Sequence, residues 1–203
     1  MVVVGPPGSG KGTQCKLLAT KYQMLHISTG DLCRKAIAQK TELGCIVENH
    51  ISQGQYPPES VIISLLKGGL EGEDKRNGVI LDGFPRTLQQ VKDLVSLFEV
   101  MGVVLLDVPL EVSLERIKGR RIDPTNNEIY SLYKTNLRAS QTEITNRLII
   151  RETDLDEQVV GKRYSAYQEQ IGPITQFLSG SGIDILRVDA NRDEEDVFSD
   201  IEA

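Results

Sequence analysis

The chain has 203 residues, 39% of them hydrophobic and 26% charged, which is the balance of one ordinary globular domain. Its 23 basic residues face 29 acidic ones, and the resulting net charge of -6 argues against binding of long nucleic acid through its phosphates. No apolar run is long enough to span a membrane and the N-terminus lacks a signal peptide pattern, so we expect a cytoplasmic protein without membrane association.

Short apolar runs alternate with stretches of helical periodicity along the chain. The predicted strands are residues 2–5, 26–28, 78–82, 103–108 and 183–188. The predicted helices are residues 11–22, 60–70, 88–98, 110–118 and 157–178. Several runs are apolar throughout, as strands buried on both faces should be, so the pattern predicts an α/β protein with a parallel sheet covered by helices. Such sheets bind ligands at the carboxyl ends of their strands.

The first predicted strand runs into a glycine-rich loop, residues 5–13, which opens the first predicted helix. The loop contains the pattern GxxxxGK, which places Lys11 within reach of the β- and γ-phosphates of a nucleotide. Its glycines let backbone N–H groups surround phosphate oxygens, and the helix N-terminus adds further N–H groups without partners. Because Gly12 follows the lysine, the hydroxyl that would lie near a magnesium ion belongs to Thr13.

The second predicted strand is followed by Ser28, Thr29, Gly30 and Asp31, with Arg34 three residues further on. This pattern favours a helix that is capped by Ser28 and whose positive end is complemented by Asp31. The same helix start would also present Thr29 and Arg34 to a cleft.

The third predicted strand ends in Asp82, which is suited to holding the water around a magnesium ion. Gly83 would let the backbone approach a ligand, and Pro85 would stiffen the turn. Arg86 offers a guanidinium fork for phosphate oxygens, and Gln90 offers an amide in the following helix. An ordinary strand-to-helix turn explains the glycine and the proline, but it does not explain Arg86 and Gln90.

Basic residues flank a polar stretch in the second half of the chain. Residues 122–150 are rich in polar side chains and lack a strong apolar stripe, which in a compact domain favours a functional lid. Arg120 and Arg121 precede the stretch, while Arg147 and Arg151 close it. A small insertion with its own hairpin is the alternative interpretation.

Residues 5–13, 28–31 and 82–90, taken in this order, closely resemble the motifs of the adenylate kinases, and the resemblance extends over nearly the whole chain. It implies a three-layer P-loop NTPase fold with a five-stranded parallel sheet, a helical subdomain for a nucleoside monophosphate and a lid subdomain. In this single domain the core would comprise residues 1–27, 58–119 and 152–203, the monophosphate-binding part residues 28–57, and the lid residues 120–151.

The resemblance also implies which residues form the site. ATP would be bound by Gly8, Ser9, Gly10, Lys11, Gly12, Thr13, Arg116, Arg120, Ile129, Tyr130 and Arg192. AMP would be bound by Thr29, Arg34, Gln55, Tyr56, Pro57, Gly83, Phe84, Pro85, Arg86, Gln90, Arg151 and Arg163. The catalytic residues would be Lys11, Arg86, Arg120, Arg151 and Arg163. A magnesium ion would be held, partly through water, by Thr13 and Asp82.

One departure from the family's pattern concerns the arginines behind the lid. The family has two arginines eleven residues apart, whereas Arg163 comes twelve residues after Arg151. Arg163 is favoured over Lys162 for the second position because the residues that follow it also fit, which leaves the register of Arg151 open by one residue.

We expect a lid without zinc, because all three cysteines precede residue 120 and form no CxxC pair. These cysteines, expected to be buried as small apolar residues, are Cys15, Cys33 and Cys45. His26 and His50 lie in no metal-binding pattern and are expected to be structural. Polar contacts would hold the lid together instead, using Asp123, Asn126 and Thr135. Magnesium with ATP would then be the cofactor.

The implied reaction is reversible transfer of the terminal phosphoryl group of MgATP to AMP, giving two ADP, by a monomer whose partners are these nucleotides. Alternatives are a UMP/CMP kinase, a GTP:AMP phosphotransferase or a catalytically dead nucleotide-binding regulator, although Thr29 and Gln90 favour AMP as the acceptor. A GTPase switch is disfavoured because the chain contains neither NKxD nor DxxG.

Overall fold

A computed structural model describes residues 1–126, 128–133 and 142–203 of the chain. The strands of the described residues are β1 (Val2–Val4), β2 (Leu25–Ser28), β3 (Val79–Asp82), β4 (Val103–Asp107), β5 (Arg120–Ile122), β6 (Ile129–Ser131) and β7 (Ile185–Asp189). The main sheet has five parallel strands in the order β2-β3-β1-β4-β7, as the apolar runs predicted. β5 and β6 form a separate antiparallel pair.

The five predicted helices end within two residues of their predicted positions. Four further helices are present among the described residues, and only the one that follows Ser28 was predicted, from its capping pattern. The helices of the described residues are α1 (Lys11–Tyr22), α2 (Thr29–Ala38), α3 (Glu42–Ile51), α4 (Glu59–Leu70), α5 (Leu88–Leu97), α6 (Leu110–Gly119), α7 (Thr142–Arg147), α8 (Glu157–Gly180) and α9 (Glu194–Glu202). Within these ranges, no helix has both the length and the apolar surface that crossing a membrane would require.

The sheet separates two hydrophobic clusters, and this makes the fold three-layered. Alternate strand residues point to opposite faces, so Val2 and Val4 of β1 join one cluster while Val3 joins the other. The larger cluster includes side chains of α4, α5 and α8, and the smaller one includes side chains of α1 and α9. Both faces of the sheet are therefore covered, as the continuous apolar runs require.

A small hairpin follows α6 where the lid was predicted. The backbones of Ile122 and Ile149 exchange two hydrogen bonds of 2.9 Å, which join the end of this segment to β5. Beside them the buried carboxylate of Asp123 accepts hydrogen bonds from Thr125 and from Arg147, the latter through Nε at 2.8 Å. The guanidinium and hydroxyl hold the pKa of Asp123 far below its usual range, against the effect of burial.

Of the other residues predicted to hold the lid, Asn126 accepts a hydrogen bond from the backbone N–H of Glu128 at 2.9 Å. Thr135 lies outside the described residues. Polar contacts are therefore present where two of the three predicted residues lie.

The prediction that all cysteines are buried is wrong for one of them. Cys15 and Cys33 are buried, but Cys45 is exposed on α3. On this helix Gly44 and Val47 face the protein interior, whereas Cys45 and Ile46 face solvent. The exposure of the Cys45 thiol therefore depends on the helix face on which it lies, and the small apolar character of cysteine does not determine it.

Candidate active site

The carboxyl ends of the central strands open into a cavity of about 260 Å³. The glycine-rich loop forms its floor, and side chains from the lid hairpin and from α8 complete its walls. Its lining residues include Gly8, Ser9, Gly10, Lys11, Gly12, Thr13, His26, Arg34, Asp82, Arg86, Arg116, Arg120, Ile129, Tyr130, Arg151, Arg163 and Arg192. All of the residues predicted to bind ATP thus meet in one place, together with all seven of the predicted arginines.

Steric limits explain the glycines of the loop. Gly8 and Gly10 have φ angles of 75° and 89°, in the left-handed region that side chains disfavour. A Cβ atom on Gly5 would lie 2.6 Å from the carbonyl oxygen of Leu106. The loop can therefore turn tightly against β4 and present its N–H groups to the cavity only with glycine at these positions.

Lys11 lies at the first position of α1 and folds back over the loop. Its Nζ donates hydrogen bonds to the carbonyl oxygens of Gly5 at 2.8 Å and Pro6 at 2.7 Å. Burial lowers the pKa of Lys11 to about 8, although the nearby carboxylate of Asp82 opposes this shift. The ammonium group is thus held in a site where water stabilises it poorly and an anion would stabilise it well.

Asp82 ends β3 beside the loop, and its side chain is 11% exposed. Burial alone would raise the pKa of Asp82, but His26 and Lys11 hold it below its usual range, so the carboxylate is charged. A Cβ atom on Gly12 would lie 3.4 Å from Oδ2 of Asp82, which shows how closely α1 approaches this carboxylate. Asp82 and the hydroxyl-bearing Thr13 line the same cavity and offer the oxygen donors that Mg²⁺ prefers.

The arginines of the cavity are crowded and incompletely paired. Burial, reinforced by neighbouring guanidinium groups, lowers the pKa of Arg151 to about 9 and that of Arg163 to about 10. Nε of Arg151 and Nη1 of Arg163 are buried and have no hydrogen-bond partner among the described residues. Buried donors without acceptors are costly, so this cluster suits an anion that brings several oxygen atoms.

Asp154 fixes the direction of two of these arginines. Its fully buried carboxylate accepts hydrogen bonds from Nε and Nη2 of Arg120, at 2.8 and 2.6 Å, and lies 3.6 Å from Nη1 of Arg163. Arg120 at the start of the lid is thereby connected to α8 and to the short 3-10 turn Glu152–Asp154.

Arg163 and Lys162, the two candidates for the second arginine position, lie in different environments. Arg163 lines the cavity, whereas Lys162 is exposed and packs its side-chain stem near Gly54. Arg151 lines the cavity as well, so the extra residue between the two arginines does not remove either of them from the site.

A smaller cavity of about 60 Å³ adjoins the first beneath Tyr56, Gly83, Pro85 and Arg86. Thr29 donates a hydrogen bond of 2.9 Å to the carbonyl oxygen of Gly83. The oxygen of the Gln90 side chain accepts one of 2.8 Å from the backbone of Arg86. Both side chains therefore shape the turn after β3.

Five residues predicted to bind AMP line neither of these two cavities, and Thr29 and Gln90 are two of them. Gln55 is exposed, while Pro57 and Phe84 are buried, with Phe84 in the hydrophobic core. The sequence prediction missed two residues of the smaller cavity, Gln170 and Tyr167, and the buried Tyr167 hydroxyl has no hydrogen-bond partner among the described residues. These two follow Arg163 by four and seven residues on one helix face, a periodicity that could have indicated them.

The far end of the larger cavity is formed by Arg116 and Arg192. Arg116 donates a hydrogen bond of 2.8 Å to the carbonyl oxygen of Ala190, which connects α6 with the loop after β7. Arg192 forms an ion pair with Asp200 of α9. Ile129 and Tyr130 of β6 line the same cavity.

Comparison with known proteins agrees with this geometry. A family model described as adenylate kinase matches residues 3–183. An adenylate kinase of Kosmotoga olearia is 37% identical over 210 aligned positions, covering 99% of this chain and 96% of the relative. Adenylate kinases of Clostridium tetani and Shouchella clausii are 35% and 34% identical, covering 99% and 100% of this chain and 95% and 96% of the relatives.

Proposed function

The chain belongs to the adenylate kinase family, and we propose that its central cavity transfers the terminal phosphoryl group of ATP reversibly to AMP, giving two ADP. The observation that carries this proposal is the meeting of the lysine-bearing glycine loop with seven arginines in one cavity. Phosphoryl transfer through a loose transition state needs positioning and neutralisation of charge more than it needs a covalent nucleophile.

On the ATP side, the loop from Gly8 to Thr13 surrounds the phosphates with N–H groups, and Lys11 contacts the β- and γ-phosphates. Arg116, Arg192, Ile129 and Tyr130 hold the adenosine at the far end of the cavity. The carboxylate of Asp82 and the hydroxyl of Thr13 would hold Mg²⁺, partly through water. When bound, the ion supplies charge that stabilises the β- and γ-phosphate oxygens.

On the AMP side, Arg34, Arg86 and Arg151 orient the α-phosphate while Thr29 and Gln90 shape the turn that receives the base. Tyr56 lies under the Arg86 guanidinium, which is 5.8 Å from the ring centre. This side is completed by Gln55, Pro57, Gly83, Phe84 and Pro85. Gln55 and Pro57 reach the nucleotide when α2 and α3 move toward the core.

The reaction forms one bond and breaks one in line. An α-phosphate oxygen of AMP attacks the γ-phosphorus of ATP, and the bond from that phosphorus to the β-phosphate oxygen breaks. Lys11, Arg120 and Arg163 neutralise the charge on the transferring group, and Asp154 keeps the two arginines directed toward it. Closure of the lid at residues 120–151 excludes water, which would otherwise accept the phosphoryl group.

We further propose the division into a core at residues 1–27, 58–119 and 152–203, a monophosphate-binding part at 28–57 and the lid. The lid needs no zinc, because the Asp123 contacts with Thr125 and Arg147 hold it. Dialysis against a chelator followed by return of Mg²⁺ should restore full turnover. A lasting loss of turnover that only zinc reverses would contradict this part. We expect the protein to work as a monomer in the cytoplasm. Sedimentation of the purified protein checks that it is a monomer.

The test of function is turnover of ATP with each nucleoside monophosphate in magnesium buffer. AMP should be the preferred acceptor, and Lys11→Ala should reduce turnover by about 10² or more while leaving the fold intact. Faster turnover of UMP or CMP would assign the chain to another acceptor. Faster turnover with GTP would change the donor. Absence of any turnover would favour a nucleotide-binding regulator.

A further inference from the structure

Three side chains from different elements meet at the sheet face that α1 covers. The parallel register pairs His26 with Ile80 and Ser28 with Asp82, so His26 and Asp82 lie on the face where Ile80 packs near Cys15. One possible ligand atom from each of Cys15, His26 and Asp82 lies within 4.8 Å of the other two. Sulfur, nitrogen and oxygen donors are thus brought together by the packing of α1 on β2 and β3.

The present contacts satisfy this cluster only in part. Among the described residues, the buried Nε2 of His26 makes no hydrogen bond, and its long ion-pair contact of 3.5 Å is to Oδ2 of Asp82. Cys15 is fully buried and forms no disulfide. A buried polar nitrogen without a partner is uncommon and requires a physical reason.

We propose that Cys15, His26 and Asp82 form a site for a thiophilic divalent cation of the Zn²⁺ class, and that binding there inhibits the enzyme. Thiolate, imidazole and carboxylate are ligands of zinc, with bonds of about 2.0–2.3 Å that place neighbouring ligand atoms roughly 3.5 Å apart. Side-chain movements of about 1 Å bring the three atoms to that spacing. The fourth position stays open toward the cavity for water or a phosphate oxygen.

Charge and access both permit binding. The thiol proton of Cys15 leaves to solvent as the sulfur–metal bond forms, so thiolate and carboxylate together balance the two charges of the ion. His26 and Asp82 line the central cavity, so a cation enters from the nucleotide side and reaches Cys15 behind them. Mg²⁺ prefers oxygen ligands and would not compete for the sulfur and nitrogen.

Inhibition follows because the site takes Asp82 away from Mg²⁺. The inhibition rests on the proposed function, in which Asp82 helps to hold the magnesium of MgATP. Binding of the thiophilic cation does not depend on that function. The two can therefore be tested separately, by the absorption of a bound metal and by turnover.

The binding test uses Co²⁺ alone with the Cys45→Ser protein, because Cys45 is exposed and would bind metal on its own. One equivalent of Co²⁺ should produce a thiolate-to-cobalt charge-transfer band, and excess Zn²⁺ should remove it. Cys15→Ala in this background should abolish the band, and Cys33→Ala, which removes another buried thiol, should keep it. His26→Gln provides a second loss variant if Cys15→Ala proves unstable, and thermal melting checks each fold.

The inhibition test measures turnover at saturating MgATP and AMP while a metal buffer sets the Zn²⁺ concentration. Cys15→Ala should keep its turnover in Mg²⁺ within about twofold and need at least tenfold more Zn²⁺ for half inhibition. Absence of the cobalt band, or its equal loss in Cys33→Ala, would overturn the site, even with normal turnover. A cobalt band that depends on Cys15, in a protein without transferase activity, would instead overturn the proposed function.

Discussion

At single residues, burial determines what the cavity can bind. Lys11, Arg151 and Arg163 all have pKa values lowered mainly by loss of water, to about 8, 9 and 10 respectively. Each cation is thus less stable in the empty cavity than in solvent, and an anion offsets part of that cost when it binds. These side chains bind phosphate groups favourably because the fold leaves part of their hydrogen-bonding capacity unused.

The lowered pKa of Lys11 predicts a pH dependence of nucleotide binding. The charged form binds phosphate and is lost as the pH rises through about 8. At pH 7 the wild type should bind ATP about 10- to 100-fold more tightly than Lys11→Met, the range expected for a charge-assisted contact. This difference should shrink steadily toward pH 10 in titration calorimetry. A constant difference across the range would show that Lys11 remains charged.

Neighbouring residues of α8 allow a matched test of the arginine assigned to catalysis. Arg163 faces the cavity, and Lys162 beside it is exposed. Arg163→Ala should lower kcat by about 10²–10³, since removal of one charge-stabilising donor has effects of this size. Lys162→Ala should stay within about twofold. The reverse order of effects in steady-state kinetics would assign the role to the lysine.

At the scale of elements, α2 and α3 approach so closely that only glycine fits between them. A Cβ atom on Gly44 would lie 2.1 Å from the carbonyl oxygen of Ala36 and 2.8 Å from the backbone nitrogen of Ile37. Both neighbours are backbone atoms, so the two helices must separate to admit a methyl group. The backbone N–H of Gly44 also donates a hydrogen bond of 3.0 Å to the side-chain hydroxyl of Thr41, the residue that caps the N-terminus of α3.

Gly44→Ala should therefore lower the free energy of unfolding by about 2 kcal/mol or more, the range for overpacking of a tight contact. Gly68→Ala is the control, because Gly68 lies inside α4 with nothing within 4 Å of an added Cβ. That change should stabilise by about 0.5–1 kcal/mol through helix propensity. Urea unfolding of both variants measures the difference, and equal effects would contradict the close packing of α2 on α3.

The lid provides a second prediction at this scale. Asp123→Ala removes the acceptor of Thr125 and Arg147, so the lid segment should open more often. Amide exchange at Ile122 and Ile149 should rise at least tenfold, while exchange at Leu81 in the central sheet stays unchanged. Glu128→Ala removes an exposed carboxylate from the same hairpin and is the control. Similar exchange in both variants would show that Asp123 does not hold the lid.

The sequence predicted some elements well and others not at all, for physical reasons. The strands of the main sheet are apolar throughout because they are buried on both faces, and the long helices have one apolar face because they are buried on one side. Both patterns can be read from the sequence. By contrast, α9 begins with Glu194, Glu195 and Asp196, and its interior side includes the buried Val197, so its charge conceals its periodicity. Residues 162 and 163 differ by about 100° around α8, and no spacing rule tells which of them faces the cavity.

Considered as a whole, the molecule separates its charges. The net charge of -6 is acidic, yet the cavity gathers Lys11 and the arginines at positions 34, 86, 120, 151 and 163. The net charge argued against binding of long nucleic acid, but composition alone could not locate this basic interior. The motifs could, because the carboxyl ends of parallel strands meet at one edge and bring distant segments together.

This separation predicts that small multivalent anions stabilise the ligand-free protein specifically. Inorganic phosphate at ten times its Kd should add about 1.4 kcal/mol to the free energy of unfolding, which raises Tm by about 3–6 °C for a chain of this size. Sodium chloride at equal ionic strength should have a smaller effect. The double variant Arg151→Ala/Arg163→Ala should lose the difference between the two salts, because it lacks the buried N–H groups that donate hydrogen bonds to the anion. If phosphate and chloride shifted the wild-type Tm equally, the anion effect would be general screening, and the cavity would not be an anion site in the absence of nucleotide.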